Sequence, residues 1–453
     1  MIVAESNGTR VTTTSARLDS LTALRFFAAF AVVLYHSWWA FTGNPDIGLL
    51  HYGYTAVGFF FTLSGLVLAW SWKPITGTVT HLRRRAARIL PLHWLMLAAM
   101  VGIYLMWPVV RPLTDTKGAL LREALLLQAW PPFDALLTFN YPSWSLSTEA
   151  FCYLLFPFLM IGLVRLSARR LVWLAAALGA GYVAAACALH LLAVPTLSDG
   201  AMLALPPLQF LKFAAGVALG AALRAGWRPR VPLWTAFLTL TVVVLCLPAA
   251  TSADVAFAAA FRGGPLFADL LLVGPMMLLV VAAAGSDLGC WSRTGRPGLL
   301  GRSRVLVTLG EWSFAMYLVH APLLYLMYAY RMTHPGVPVL GYPGLAAYLV
   351  ACVAAAGVLH VFFEKPVERW VRNREPARRR AAAATPAVPA TTPVHPTHVT
   401  ALLPAPRTPS TPTATLPPAT PRPAPATASR AVPVIPRQEP ATAPMAAAGP
   451  ASR

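Results

Sequence analysis

Two ionisable residues, Arg25 and His36, stand eleven residues apart inside an apolar run, Leu21–Phe41. On a helix that spacing turns them only about 20° from each other and separates them by about 16 Å along one face. A fixed cation at one end and an imidazole at the other suit a site that holds an anion and moves a proton some distance away. A snorkelling arginine and a satisfied core histidine are the plainer alternative. A later run opens Trp144-Ser145-Leu146-Ser147-Thr148-Glu149, and Glu149 lies five residues inside it, as His36 lies five residues inside the end of its own run. If the two runs cross in opposite directions, both groups sit about 7–8 Å below one surface. Equal depth would let Glu149 hold the imidazole tautomer while Nε2 of His36 takes a proton from a hydroxyl. A structural acid bonded to neighbouring serines is the alternative reading of Glu149.

Arg83-Arg84-Arg85-Ala86-Ala87-Arg88-Ile89-Leu90-Pro91 sets Arg85 and Arg88 one turn apart, two guanidinium forks suited to phosphate. Membrane topology alone also supplies basic residues at such a place; Arg25 on the same side favours an anionic ligand. Ser64-Gly65 interrupts Phe59-Phe60-Phe61-Thr62-Leu63 with a hydroxyl and a small residue, and close helix packing accounts for the glycine. Ser313, Tyr317 and His320 fall at i, i+4 and i+7, one stripe that could line the same cavity or bond between helices. Glu364 follows Phe362-Phe363 at the end of a run, where a salt bridge to Arg25 or to Arg85 and Arg88 is its simplest use. Lys212 is expected to snorkel, and Gly216 with Gly220 to pack. The five cysteines form no CxxC pair, so neither a disulfide framework nor a metal site is expected.

These residues must be positioned by helices in lipid. Only 11% of the 453 residues are charged and 57% are hydrophobic, against about 25% charged in an ordinary soluble domain. A soluble enzyme is excluded. Apolar runs near membrane length occur at 21–41, 54–72, 89–107, 144–164, 171–193, 207–223, 233–250, 265–285, 311–330 and 341–363, with a short amphipathic segment at 118–130 left outside the count. The fold expected is an all-α polytopic membrane bundle of about ten transmembrane helices. The net charge of +20 follows that topology. Arg10 and Arg17 precede the first run; Lys73, Arg83–Arg85 and Arg88, then Arg165, Arg169 and Arg170, then Arg224, Arg228 and Arg230, then Arg293, Arg296, Arg302 and Arg304 fill alternate loops. The other loops hold Arg111, Lys117, Arg122, Arg262 and Arg331. By the positive-inside rule both termini are cytoplasmic, in a multi-pass protein of the plasma or inner membrane with lipid as its neighbour. Nucleic acid is not needed to explain the charge. Residues 1–18 form a cytoplasmic segment, 19–366 the transmembrane domain, 367–380 a basic stop, and 381–453, with 18 of the 42 prolines, a disordered Pro/Ala/Thr-rich tail.

Taken in register, six pieces of this chain resemble the membrane acyltransferase-3 family, ten-span O-acyltransferases acting on surface glycans, lipids or macrolides. They are Arg25-x10-His36, Phe59-Phe60-Phe61-Thr62-Leu63-Ser64-Gly65, Arg85-x-x-Arg88-Ile89-x-Pro91, Trp144-Ser145-Leu146-x-x-Glu149, Ser313-Phe314-x-x-Tyr317-Leu318-x-His320 and Phe363-Glu364-x-Pro366, spread over some 350 residues. The resemblance implies that acyl-CoA, acetyl-CoA foremost, is a co-substrate with no bound cofactor, and that the acceptor bears a hydroxyl on a glycan, a lipid-linked sugar or a macrolide. It implies His36 as general base with Glu149, the donor held by Arg25, Arg85 and Arg88, and support from Ser64, Trp144, Ser145, Ser313, Tyr317, His320 and Glu364. Two positions depart from the family pattern: Phe26 replaces a frequent glycine and His93 a frequent aromatic, and both bear on pocket width. No fused hydrolase-like domain is expected. A proton-coupled carrier of a small metabolite or lipid-linked sugar is the rival class, since buried His, Glu and Arg also suit proton coupling. No inverted repeat of the Arg–His pattern accompanies it.

Overall fold

Lipid offers no partner to a backbone N–H or C=O, so long apolar runs cross it as helices. The computed structural model describes residues 17–374 apart from 45–47, 74–76, 111–115, 193–196, 253–260, 262–263, 291–297, 335, 337 and 339. Residues 1–16, the stop segment beyond 374 and the tail expected over 381–453 lie outside the described residues, as do Arg111, Arg262, Arg293 and Arg296. Among the described residues there is no strand. The principal helices are α1 (Asp19–Thr42), α2 (Ala56–Trp70), α3 (Thr78–Met106), α4 (Thr116–Ala124), α5 (Trp144–Leu163), α6 (Ala168–Leu191), α7 (Pro206–Arg224), α8 (Leu233–Ser252), α9 (Pro265–Asp287), α10 (Arg304–Thr333), α11 (Gly341–Leu359) and α12 (Lys365–Asn373). A π-helical turn, His360–Glu364, joins the last two.

Nine helical segments among the described residues are long and apolar enough to cross a membrane. The thirty-residue α10 falls outside that set, because Glu311, Ser313, Tyr317, His320 and several tyrosines dilute its apolar content. It packs lengthwise against α1 and α11 all the same, and completes the bundle of about ten expected from the sequence. The amphipathic stretch near 118–130 forms the short α4 and the turns after it.

Small residues set the closest crossings. A Cβ on Gly216 of α7 would lie 2.0 Å from the carbonyl oxygen of Thr62 in α2, and one on Gly310 of α10 1.9 Å from that of Thr22 in α1. Backbones touch there, as helices in lipid do when dispersion rather than the hydrophobic effect drives association. The start of α1 is held from outside: Ser20 N–H donates to both carboxylate oxygens of Asp287, at 2.8 and 3.0 Å, an acid placed where the helix dipole favours one. Its end is closed by Gly43 in the left-handed region (φ 67°), which returns its N–H to Trp39. The central α7 is almost wholly buried, whereas α8 presents Trp234, Leu238 and Leu245 outward, as a lipid-facing helix does.

Lys212 on α7 corrects an expectation. It does not snorkel: it is 2% exposed and pairs at 2.5 Å with Asp269 of α9. Tyr182 of α6 also donates to Asp269 and places its ring 4.0 Å from the Lys212 ammonium. The lysine lies too deep in the packing of α6, α7 and α9 for its stem to reach an interface, so a buried acid takes its charge instead.

Candidate active site

Five helices, α1, α2, α3, α5 and α10, line a cleft. Its charged lining is Arg25 from α1, Arg85 and Arg88 from α3 and Glu149 from α5. Helical spacing explains the convergence on α3, where residues 85 and 88 share a face. Glu149 accepts from Ser64 at 3.2 Å and from Tyr153, one turn further along α5. The Tyr153 ring in turn faces the Arg85 guanidinium, 5.9 Å from its centroid. The carboxylate therefore offsets part of the arginines' charge, with both hydroxyls donating to its Oε1. The Nε atoms of Arg25 and Arg85 are buried with no hydrogen-bond partner among the described residues, a costly condition for a cation unless a ligand anion supplies the bond.

Ser145, Ser313 and Tyr317 also line the cleft. Ser145 Oγ lies 3.0 Å from the Tyr317 hydroxyl, which donates to the Pro142 carbonyl at 2.9 Å, and Ser313 bonds back to Gly310 at 2.8 Å. Trp144 packs against Phe61 instead, with ring centroids 6.4 Å apart. One helical turn beyond Tyr317, His320 is fully buried. Its Nδ1 sits 2.7 Å from the Tyr317 carbonyl oxygen and its Nε2 sits 3.2 Å from Nδ1 of His36. The two imidazoles are nearly coplanar, 9° apart, and Tyr141 meets His36 edge-on at 4.7 Å. His36 lines a second, more open cavity together with Tyr141, Tyr325 and Tyr328.

Two expected pairings are thereby corrected. Glu149 is bonded to Ser64 and Tyr153, and the partner of His36 is His320. Equal depth was the right inference for neither's partner, because helix rise fixes height and says nothing about which way each helix is rotated. Glu364 bonds His360 at 2.8 Å across the π-helical turn and makes no salt bridge to Arg25, Arg85 or Arg88 among the described residues. The two are four residues apart, the spacing at which side chains on one helix meet. Arg25 and Arg88 still feel the Glu364 charge. Tyr153, Tyr141 and Asp269 escaped the sequence reading. The i, i+4 spacing of Glu149 and Tyr153 was a usable signal for the first; the others have none.

A helical membrane bundle with an arginine-lined cleft and, one turn beyond its Tyr317, a histidine pair has the parts of a group-transfer enzyme, and the comparisons with known proteins give its class. A family model described as an acyltransferase domain matches residues 18–361, and the chain belongs to that acyltransferase-3 family. It is 35% identical over 404 residues, 82% of this chain and 96% of the relative, to "Acyltransferase MdmB" of Streptomyces mycarofaciens. No solved structure matches. The protein is a membrane O-acyltransferase, which sets aside the carrier reading.

Proposed function

We propose that the enzyme transfers an acyl group, acetyl foremost, from acyl-CoA to a hydroxyl of a carbohydrate, lipid-linked sugar or macrolide-like acceptor, with His36 as general base. The reading is carried by the cleft in which Arg25, Arg85 and Arg88 converge, with buried guanidinium nitrogens left unbonded among the described residues. Donor phosphates bind the arginine forks bidentately, and the pantetheine arm runs along α1 toward His36, a distance of about 16 Å for eleven residues of helix. There Nε2 of His36 takes the hydroxyl proton as the acceptor oxygen attacks the thioester carbonyl. The C–S bond breaks, the imidazolium returns the proton to the departing thiolate, and the products are the ester and free CoA. Glu149 offsets one of the three arginine charges, leaving the cleft cationic for the donor phosphates, and bonds Ser64 and Tyr153 along its wall. By the positive-inside argument the donor enters from the cytoplasm.

The full chain in proteoliposomes, given acetyl-CoA and a panel of hydroxylated acceptors, is expected to release thiol and yield products heavier by one acetyl group. His36→Ala is expected to lower turnover by about 10²–10⁴-fold, the range for a lost general base, and Arg88→Ala to raise the acetyl-CoA KM. Full turnover in His36→Ala would overturn the base assignment.

A further inference from the structure

We infer that a groove between α3 and α5 is a lipid site, and that it takes an anionic phospholipid of the bilayer, its headgroup phosphate on Arg85 and an acyl chain along the groove. The kinetic consequence rests on the donor role proposed for Arg85; the lipid site itself does not.

The groove lies beside the arginine cleft. Ala86 and Leu90 of α3, Phe151 and Leu154 of α5, and Leu126 and Trp130 from the connection after α4 form its wall. At its rim Leu125 and Leu154 are more than half exposed, so it opens toward lipid. Arg85, Ile89 and Tyr153 line both the groove and the cleft, and the two spaces meet at one guanidinium. The Nε of Arg85 is buried and unbonded among the described residues. Above it the lining stretch of α3, from Leu82 to Leu90, rises about 12 Å, an apolar track that begins at a cation.

The far end of the groove is held in place by its own bonds. Leu126 has a left-handed backbone, with φ 57°, which a leucine adopts only against steric resistance. Ser147 donates to the Leu126 carbonyl at 2.6 Å, and Arg122 donates to that of Trp130. The Trp130 ring meets Phe151 edge-on with centroids 5.2 Å apart. A turn fixed in this way keeps its apolar side chains on the groove.

Charge and depth select the occupant. By the positive-inside argument Arg85 lies at the cytoplasmic edge of α3, the side on which anionic phospholipid is concentrated and basic pockets between helices hold headgroups. A phosphate suits the guanidinium fork, and the chain below it suits the apolar track. A zwitterionic headgroup would bring its own cation to a cluster that already holds Arg25, Arg85 and Arg88. Because Arg85 borders both spaces, a lipid phosphate reaching it from the groove takes a fork that the donor uses from the cleft, and the two compete.

The test begins with the full chain in detergent, exposed to equal amounts of phosphatidylglycerol and phosphatidylcholine, with retained lipid read by native mass spectrometry. Phosphatidylglycerol is expected to be retained about tenfold over phosphatidylcholine, the scale of one charge-assisted hydrogen bond. Ala86→Trp and Leu154→Trp, which fill the groove, are expected to lower that retention, and Arg85→Gln to level the two lipids. In proteoliposomes, replacing about a third of the phosphatidylcholine by phosphatidylglycerol is expected to raise the wild-type acetyl-CoA KM about threefold or more with kcat unchanged, the mark of an occupied binding group. Ala86→Trp is expected to show a much smaller rise, whereas surface charge alone would move both proteins alike. Equal retention of the two lipids by the wild type, or retention untouched by both tryptophan variants, would overturn the lipid site. Selective retention with equal KM changes in wild type and Ala86→Trp would instead overturn the donor role of Arg85 and the competition, with the site intact.

Discussion

Buried in the connection between α3 and α5, Glu123 is 1% exposed and accepts from the Asn140 N–H at 3.1 Å and the Ser143 hydroxyl at 2.8 Å. Burial outweighs those bonds and pushes its carboxyl up to about 7. An unfolded glutamate titrates near 4.3, so between about pH 4 and 7 the folded protein holds a proton that the unfolded chain has lost. Stability from this group is full at low pH and falls as pH rises through that window. Thermal unfolding in detergent from pH 5 to 8 is expected to show the decline, and Glu123→Gln to flatten it; a wild-type midpoint that climbs over the same range would refute the assignment. At this scale the sequence was informative where one helix carried both members of a relation. Arg85 with Arg88, and Ser313 with Tyr317, follow from 3.6 residues per turn and line one cleft, whereas Arg25 lines that cleft and His36 a different cavity. His36 with His320 crosses between α1 and α10, and no periodicity within either helix reports how the other is rotated.

Among the helices, the junction of α6, α7 and α9 carries the Lys212–Asp269 pair away from the candidate active site. Removing one charge leaves the other uncompensated in the packing, at a cost of about 3–5 kcal/mol, whereas an apolar replacement of both is close to neutral. Lys212→Met alone is therefore expected to lower the unfolding midpoint sharply, and Lys212→Met with Asp269→Leu to recover most of the loss. Singles and double behaving additively would show the pair to be uncoupled. The sequence offered Lys212 as a snorkelling residue because a lone cation near a helix end usually is one. Its partner lies 57 residues away on another helix. Helix existence was far easier to read than such pairings, since length and apolarity are local properties. The packing role of Gly216 was readable for the same reason.

For the molecule as a whole, the family match spans 18–361 and every candidate site residue lies between Arg25 and Glu364. Deleting residues 381–453 is accordingly expected to leave kcat and both KM values unchanged in the proteoliposome assay; loss of turnover in a truncated protein that still folds would give the tail a catalytic part. The all-helical fold and its long apolar helices followed from composition and hydropathy alone. The separation of the arginine-lined cleft from the tyrosine-lined cavity beside His36 did not, because it depends on where α10 lies against α1.

That same α10 has a bearing on how the protein is made. A helix that carries Glu311, Ser313, Tyr317 and His320 brings more polar groups into lipid than its neighbours do. It emerges from the ribosome after α1 to α9, when α1, with which it packs so closely at Gly310 and Thr22, is already in the membrane. Its insertion is then docking onto a waiting helix rather than partitioning into oil. The polar side chains of α10 thus tie its entry into the bundle to a helix made before it.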